Sequence, residues 1–298
     1  MLELITNNNI SLHGGSVDIE LGTSGIDDGN TSMRKIVWVG DVAIGGNTAV
    51  VIAGPCSVET GEQIMETAFA VKARGAVMLR GGAFKPRTSP KDFQGLGSDG
   101  IKLLREAGDA ADLPIVTEIM SEDDIAIGCE YADMIQIGAR NMQNFSLLKK
   151  LAKTDKPILL KRGLSATVKE WLSAADYILQ GGNEQVVLCE RGIRTFDNSL
   201  RNTLDLAAVA LVKEMSDLPV IVDPSHATGK RSLISATSKA AIAVGADGLI
   251  IEVHPRPDEA WSDAAQSIDF EGFSDVMNNL RTPVRPVGVC VEKSYAIR

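Results

Sequence analysis

From residue 49 onward, short apolar runs rich in Val, Ile and Leu recur at 49–53, 76–79, 114–117, 134–137, 157–160, 185–188, 219–222 and 248–251. They read as continuous rather than alternating, the pattern of strands buried on both faces. Their mean spacing, about 28 residues, is the length of one strand-plus-helix unit. Helical patterns fill the gaps. Thr60-Gly-Glu-Gln63 predicts a capping box ahead of a helix reaching about Arg74 and stopping at Gly75. Ser121-Glu-Asp-Asp124 places an N-cap and acidic residues at the positive end of the next helix. Leu200, Leu204, Ala208, Leu211 and Met215 recur every three to four residues and predict one apolar helix face. Eight strands alternating with helices predict a closed (β/α)8 TIM barrel, with a doubly wound open sheet as the weaker alternative. Two short runs around turn residues at 35–48 predict a β-hairpin ahead of it. Residues 1–33, rich in Asn, Gly, Ser and Asp without periodicity, read as a flexible leader, and 34–298 as a single catalytic domain that includes the hairpin.

Composition narrows the function classes. The 298 residues carry 30 Lys and Arg against 39 Asp and Glu, a formal net charge of -9. That balance, with only 4% aromatic residues, excludes a basic or base-stacking nucleic-acid surface. No apolar run approaches the ~18–20 residues that span a membrane. The N-terminus has neither the basic nor the apolar region of a secretory signal. Four widely spaced cysteines (56, 129, 189 and 290) do not form a disulfide framework, and the expected compartment is the reducing cytoplasm.

A barrel demands that functional residues sit at the C-terminal ends of its strands, and polar residues follow seven of the eight runs there. One group is cationic: Arg80, Lys85, Arg87, Arg140, Lys161 and Arg191. Any one of them alone reads as a surface cation paired with a carboxylate. Six at strand ends predict a site for phosphates, and one that also suits a carboxylate. The second group is Cys56, His226, Glu252 and Asp263, from the first, seventh and eighth strands and the following loop. These strands adjoin when the barrel closes, so a thiolate, an imidazole and two carboxylates can enclose a divalent cation. Singly, Cys56 reads as a small buried hydrophobe and His226 as a structural histidine. His254, two residues from Glu252, is expected to line the pocket as a secondary contact. Gly95-Leu-Gly-Ser-Asp-Gly100 matches G-x-G-x-x-G but lies too far from its strand to be a dinucleotide fingerprint; its glycines read as a loop before a helix. Cys129 and Cys189 read as packing residues and Cys290 as part of the tail.

The segments GPCSVE, RGGAFKPRTSP, IGAR, KRG, DPSHATG and IEVHPRP, followed by WSDAAQS, resemble in unbroken order the 3-deoxy-D-arabino-heptulosonate 7-phosphate (DAHP) synthases of type Iβ. The related 3-deoxy-D-manno-octulosonate 8-phosphate synthases share the barrel and several motifs, but Lys85-Pro-Arg-Thr-Ser89 resembles the DAHP synthase form. The resemblance implies condensation of phosphoenolpyruvate with erythrose 4-phosphate, releasing phosphate at the entry to the shikimate pathway and so to chorismate and the aromatic amino acids. It implies that Arg80, Lys85, Ala139, Arg140, Lys161 and Arg191 hold phosphoenolpyruvate, and that Lys85, Pro86, Arg87, Thr88 and Asp223 position erythrose 4-phosphate. Cys56, His226, Glu252 and Asp263 match the family's metal ligands, for one divalent ion that the ligand set leaves open among Mn, Fe, Co, Zn and Cu. Lys161 is expected to carry a proton, and Lys85, Cys56 and His226 to belong to the catalytic set. A homotetramer or dimer is implied, with the hairpin as a contact. A leader too short for the family's regulatory domains leads to the expectation of no feedback by aromatic amino acids. Two other readings remain: an aldolase using Lys161 as a Schiff-base amine, and a non-catalytic phospho-sugar-binding barrel.

Overall fold

The computed structural model describes residues 34–85 and 89–282, all within the unit Met33–Arg298. The predicted leader 1–33, the tail with Cys290 and the predicted sugar-phosphate contacts Pro86, Arg87 and Thr88 lie outside these described residues. A hairpin of β1 (Val37–Val39) and β2 (Val42–Ile44) comes first. Eight strands follow: β3 (Val50–Gly54), β4 (Met78–Arg80), β5 (Ile115–Ile119), β6 (Met134–Ile137), β7 (Ile158–Lys161), β8 (Val186–Glu190), β9 (Val220–Val222) and β10 (Gly248–Glu252). Each pairs in parallel with the next, and β10 closes on β3 with Gly248 opposite Val50, completing the predicted barrel. The connecting helices are α1 (Gly61–Ala73), α2 (Ser98–Ala111), α3 (Ile125–Tyr131), α4 (Phe145–Leu151), α5 (Val168–Leu179), α6 (Leu206–Met215), α7 (Pro224–Thr228), α8 (Arg231–Ala243) and α9 (Phe270–Arg281).

Two hydrophobic layers explain why the strands read as continuous runs. Outward residues such as Val51, Leu79, Ile135, Leu160, Leu188 and Ile251 pack against the helices. Inward residues Ile52, Met78, Val116, Met134, Leu159, Val187, Ile221 and Ile250 fill the lower half of the barrel. Val37, Val39 and Ile44 of the hairpin join this inner cluster and plug the floor, while Trp38 on its outer face stays half-exposed. Two residues further along, the inward positions turn polar on six of the eight strands: Arg80, Glu118, Gln136, Lys161, Asp223 and Glu252; on β3 and β8 they are Gly54 and Cys189. The floor is therefore apolar and the mouth charged. Gly54, at φ 153, ends β3 where a side chain would run into the Arg80 carbonyl, so the chain can turn toward Cys56 only with glycine there.

Three local expectations need correction. Thr60 does cap α1, its hydroxyl accepting from the Gln63 N–H at 3.0 Å, but Gln63 does not return the bond. Its amide is drawn instead to the Ser57 carbonyl, at 3.2 Å, and to the Glu59 N–H. Ser121 and its acidic followers do cap the next helical segment, as expected, but its first turn is a 3-10 turn, Glu122–Asp124, before α3 begins. In α6 the buried stripe is Ala208, Val209 and Val212; Leu200 and Leu204 precede the helix, and Leu211 and Met215 are exposed. Asp205 starts the helix by accepting from the Ala208 N–H, which leaves Leu200 and Leu204 outside it. The glycines at 95 and 97 do form the loop into α2, as expected.

Candidate active site

The site grows from the polar upper layer. Arg80 ends β4 and donates through Nη1 to Glu252 Oε1 at 2.6 Å, both side chains buried. Burial works against the Arg80 charge, but the Glu252 carboxylate beside it more than offsets this and raises its pKa. Glu252 Oε2 accepts from Gln266 Nε2 at 2.5 Å. Cys56, in the loop after β3, places Sγ 3.3 Å from Asp263 Oδ2 and 2.9 Å from Lys85 Nζ. Burial, reinforced by Glu252 and opposed by Lys85, pushes the Cys56 thiol up to about 12.

His226 sits in the first turn after β9. Asp223, the N-cap of α7, accepts from the His226 backbone N–H at 2.9 Å and meets its Nδ1 at 2.7 Å. The same Asp223 Oδ2 pairs with Lys161 Nζ at 2.5 Å. Despite burial, the neighbouring His226 and Lys161 hold the Asp223 carboxyl well below its usual range. Burial lowers the His226 pKa, against the pull of Asp223 and Glu252. With Nδ1 turned to Asp223, Nε2 faces Glu252 Oε1 at 3.4 Å and Asp263 Oδ2 at 3.7 Å. Burial opposes ionisation of Asp263 and Glu252, yet nearby cationic partners keep both carboxyls below their usual range.

Cys56, Glu252 and Asp263 offer ligand atoms all within 4.8 Å of one another, and His226 Nε2 borders two of them. The structure thus brings these sulfur, nitrogen and oxygen donors together. A mixed donor set with an oriented imidazole fits a divalent transition metal.

Beside these donors opens a cavity lined by Lys85, Arg140, Lys161 and Arg191, four of the predicted cations, together with Ala139, His226 and Asp263. Arg80 and His254 are not among its lining residues. Arg80 lies a layer deeper against Glu252, and His254 is buried against Glu59 at 3.2 Å. Asp223 is also withdrawn behind His226 and Lys161. Arg191 is buried and donates to the Gly192 carbonyl, and desolvation lowers its pKa.

Three charged lining residues, Glu118, Arg194 and Arg201, are missing from the sequence-based set. Glu118 is the polar inward residue of β5, the one strand without a functional end in the sequence pattern; it accepts from Gln136 Nε2 at 2.8 Å and lies where a side chain on residue 138 would be. The run 114–117 stops one residue short of it, and counting by twos from Val116 would have found it. Arg194 and Arg201 have no such signal. They reach the cavity because Ile193 and Thr203 pair antiparallel and fold the segment after β8 back over the mouth. Arg201 Nη1 donates to Asp263 Oδ1 at 3.1 Å and to Gln266 Oε1 at 2.5 Å. Arg162, by contrast, is spent on structure, held by Glu190 at 2.9 Å and Asp205 at 3.0 Å.

Comparison with known proteins places the chain in a family. The model described as the DAHP synthetase I family matches residues 19–285. A Thermotoga maritima protein named phospho-2-dehydro-3-deoxyheptonate aldolase is 52% identical over 86% of this chain and 76% of its own. The 2-dehydro-3-deoxyphosphooctonate aldolase of Koribacter versatilis is 30% identical over 81% of this chain and 93% of its own. A crystal structure of the Thermotoga maritima DAHP synthase superposes with TM-score 0.81 at 53% identity, covering 83% of this chain and 72% of that one. A truncated form of 3-deoxy-D-arabino-heptulosonate 7-phosphate synthase from the same organism superposes with TM-score 0.78 at 49% identity, covering 83% and 90%.

Proposed function

Since the chain belongs to the DAHP synthetase I family, we propose that it condenses phosphoenolpyruvate with erythrose 4-phosphate to give DAHP and inorganic phosphate. The observation that carries this reading is a single cavity in which six cations, Lys85, Arg140, Lys161, Arg191, Arg194 and Arg201, share a wall with His226 and Asp263 of the donor set. Two phosphorylated substrates repel each other. Fixed guanidinium and ammonium groups offset that repulsion and hold the reacting carbons in line. Erythrose 4-phosphate is preferred as acceptor because the heptonate relative is far more similar than the octonate one.

In this reading Cys56, His226, Glu252 and Asp263 hold one divalent metal ion. When bound, such an ion supplies Lewis acidity toward a carbonyl oxygen. The chain's own residues do the rest. Carbon 3 of phosphoenolpyruvate bonds to the aldehyde carbon, the aldehyde oxygen takes a proton, water adds at carbon 2, and the carbon–oxygen bond to phosphate breaks, the two protons of that water restoring the proton donor and leaving with the phosphate. Lys161 Nζ, held at 2.5 Å by Asp223, is positioned to deliver the proton from inside the cavity. Arg140, Arg191 and Arg194 receive the phosphate charge. Asp223 orients His226 and Lys161 together. The pairing of Lys161 with Asp223 also speaks against the Schiff-base alternative, which needs a free amine. For the implied homo-oligomer we assign the contact to the hairpin's outer face, where Ile36 and Trp38 are exposed.

The test measures phosphate release from phosphoenolpyruvate with erythrose 4-phosphate and, separately, with arabinose 5-phosphate, each with and without chelator. Release with erythrose 4-phosphate, abolished by chelator and restored by added divalent metal, is expected. Activity only with arabinose 5-phosphate overturns the reading.

A further inference from the structure

Asp263 lies in an excursion of the chain between β10 and α9, closed at its base by a parallel bridge between Val253 and Ile268. Its own backbone is left-handed at φ 50, a conformation that neighbours must hold for a residue with a side chain. Part of that hold comes from within and behind the loop. Ser267 Oγ donates to the Asp263 carbonyl at 3.2 Å, and Arg231 Nη2 donates to the Ala264 carbonyl at 2.6 Å.

More comes from the loop after the neighbouring strand β3, three residues beyond Cys56. Glu59 Oε1 accepts from the backbone N–H of Trp261 at 2.8 Å, and its Oε2 meets His254 Nε2 at 3.2 Å. His254 Nδ1 accepts from the Arg256 N–H at 3.0 Å, which leaves the ring proton on Nε2, aimed at Glu59. Ser57 and Ser262 hydroxyls join the same two segments. Glu59 and His254 are 7% and 3% exposed, and neither lines the cavity. One buried carboxylate thus grips the Asp263 loop at its base and again two residues before the aspartate. Because Glu59 shares a short segment with Cys56, this grip also spans the 3.3 Å separation between Cys56 Sγ and Asp263 Oδ2.

We propose that Glu59 and His254 are positioning residues for the metal centre, a clasp that sets the spacing between the sulfur and carboxylate ligands contributed by two different loops. The inference rests on the metal reading of Cys56, His226, Glu252 and Asp263 given above. Neither residue touches substrate or reacting atoms; both act through the backbone that carries the ligands.

The test titrates the intact, metal-stripped chain with cobalt(II). Affinity is read by competition with a chelating dye, and sulfur ligation by the thiolate-to-cobalt absorption band. Glu59→Gln leaves one amide oxygen for two donors, so its NH2 must face either the His254 or the Trp261 N–H, and His254→Ala removes one donor. Each is expected to weaken cobalt binding by about tenfold, the range for groups behind metal ligands. His254→Gln, whose amide can donate in place of Nε2, is expected to recover most of the loss. A purely structural pair would lower the melting temperature and leave the cobalt affinity of the folded protein unchanged; that result overturns the proposal. Should Glu59→Gln not fold, Ser57→Ala and Ser262→Ala load the same clasp more gently and are expected to weaken cobalt binding in the same direction. If the parent chain itself shows no thiolate-to-cobalt band, the metal reading falls and the clasp falls with it. Parent binding with unaltered variants removes the clasp alone.

Discussion

Asp223 has a single carboxylate oxygen shared by Lys161 and His226, so one substitution reaches both the cation pocket and the donor set. Asp223→Ala is expected to lower kcat by about 10–100-fold, with a parallel loss in metal affinity measured by dye competition. Arg194 makes the opposite case. Its side chain is exposed at the cavity mouth, so Arg194→Ala is expected to raise KM for a phosphorylated substrate several-fold while thermal stability stays within about 0.5 kcal/mol. Steady-state kinetics and a melting curve separate the two effects. An unchanged KM would remove Arg194 from the binding set. The four proposed metal donors are legible in the sequence because each follows an apolar run directly or within one loop. His254 is legible as a residue near the site but not as to its role, since only folding turns its ring away from the cavity toward Glu59.

Helix starts and strand faces decide how the barrel presents those side chains. Thr167 caps α5 by accepting from the Glu170 N–H at 3.2 Å, and Glu170 Oε2 returns the bond to the Thr167 N–H at 2.8 Å. Thr167→Ala is expected to cost about 1 kcal/mol, seen as a lower melting temperature. The bonds from Thr167 lower the Glu170 pKa, so its contribution is fully present above the ordinary glutamate pKa of about 4.3 and is lost as pH falls through the lower folded value. The stability gap between the parent and Glu170→Gln should therefore close on acidification; a gap constant from pH 7 to about pH 3 would contradict this. The eight strands can be read from the sequence because both faces of a parallel barrel strand are buried. Their inner and outer layers cannot, since Val, Ile and Leu serve both. For the same reason the polar step from Val116 to Glu118 passes as the end of a run. In α6, tertiary packing chooses Ala208, Val209 and Val212 over the larger Leu211 and Met215, a choice that periodicity alone does not reveal.

At the scale of the molecule, the acidity of the chain and the anionic character of its proposed substrates are reconciled by placement. The net charge of -9 is an average over the whole chain, while six cations share one cavity wall. Among the described residues no helix is long and apolar enough to cross a membrane, and Cys56, Cys129 and Cys189 are all free thiols. The proposed assembly through the hairpin predicts that Trp38→Glu shifts the chain to a smaller species in sedimentation, while its melting profile as a barrel persists; an unchanged sedimentation profile would place the contact elsewhere. The same hairpin has a second effect. Because Val37, Val39 and Ile44 stopper the lower end, the barrel is, among the described residues, a blind well with one doorway. Whatever reacts at its polar layer enters and departs past the same arginines, so the groups that draw the substrates in also stand guard over the released phosphate, and turnover must balance capture against escape at a single threshold.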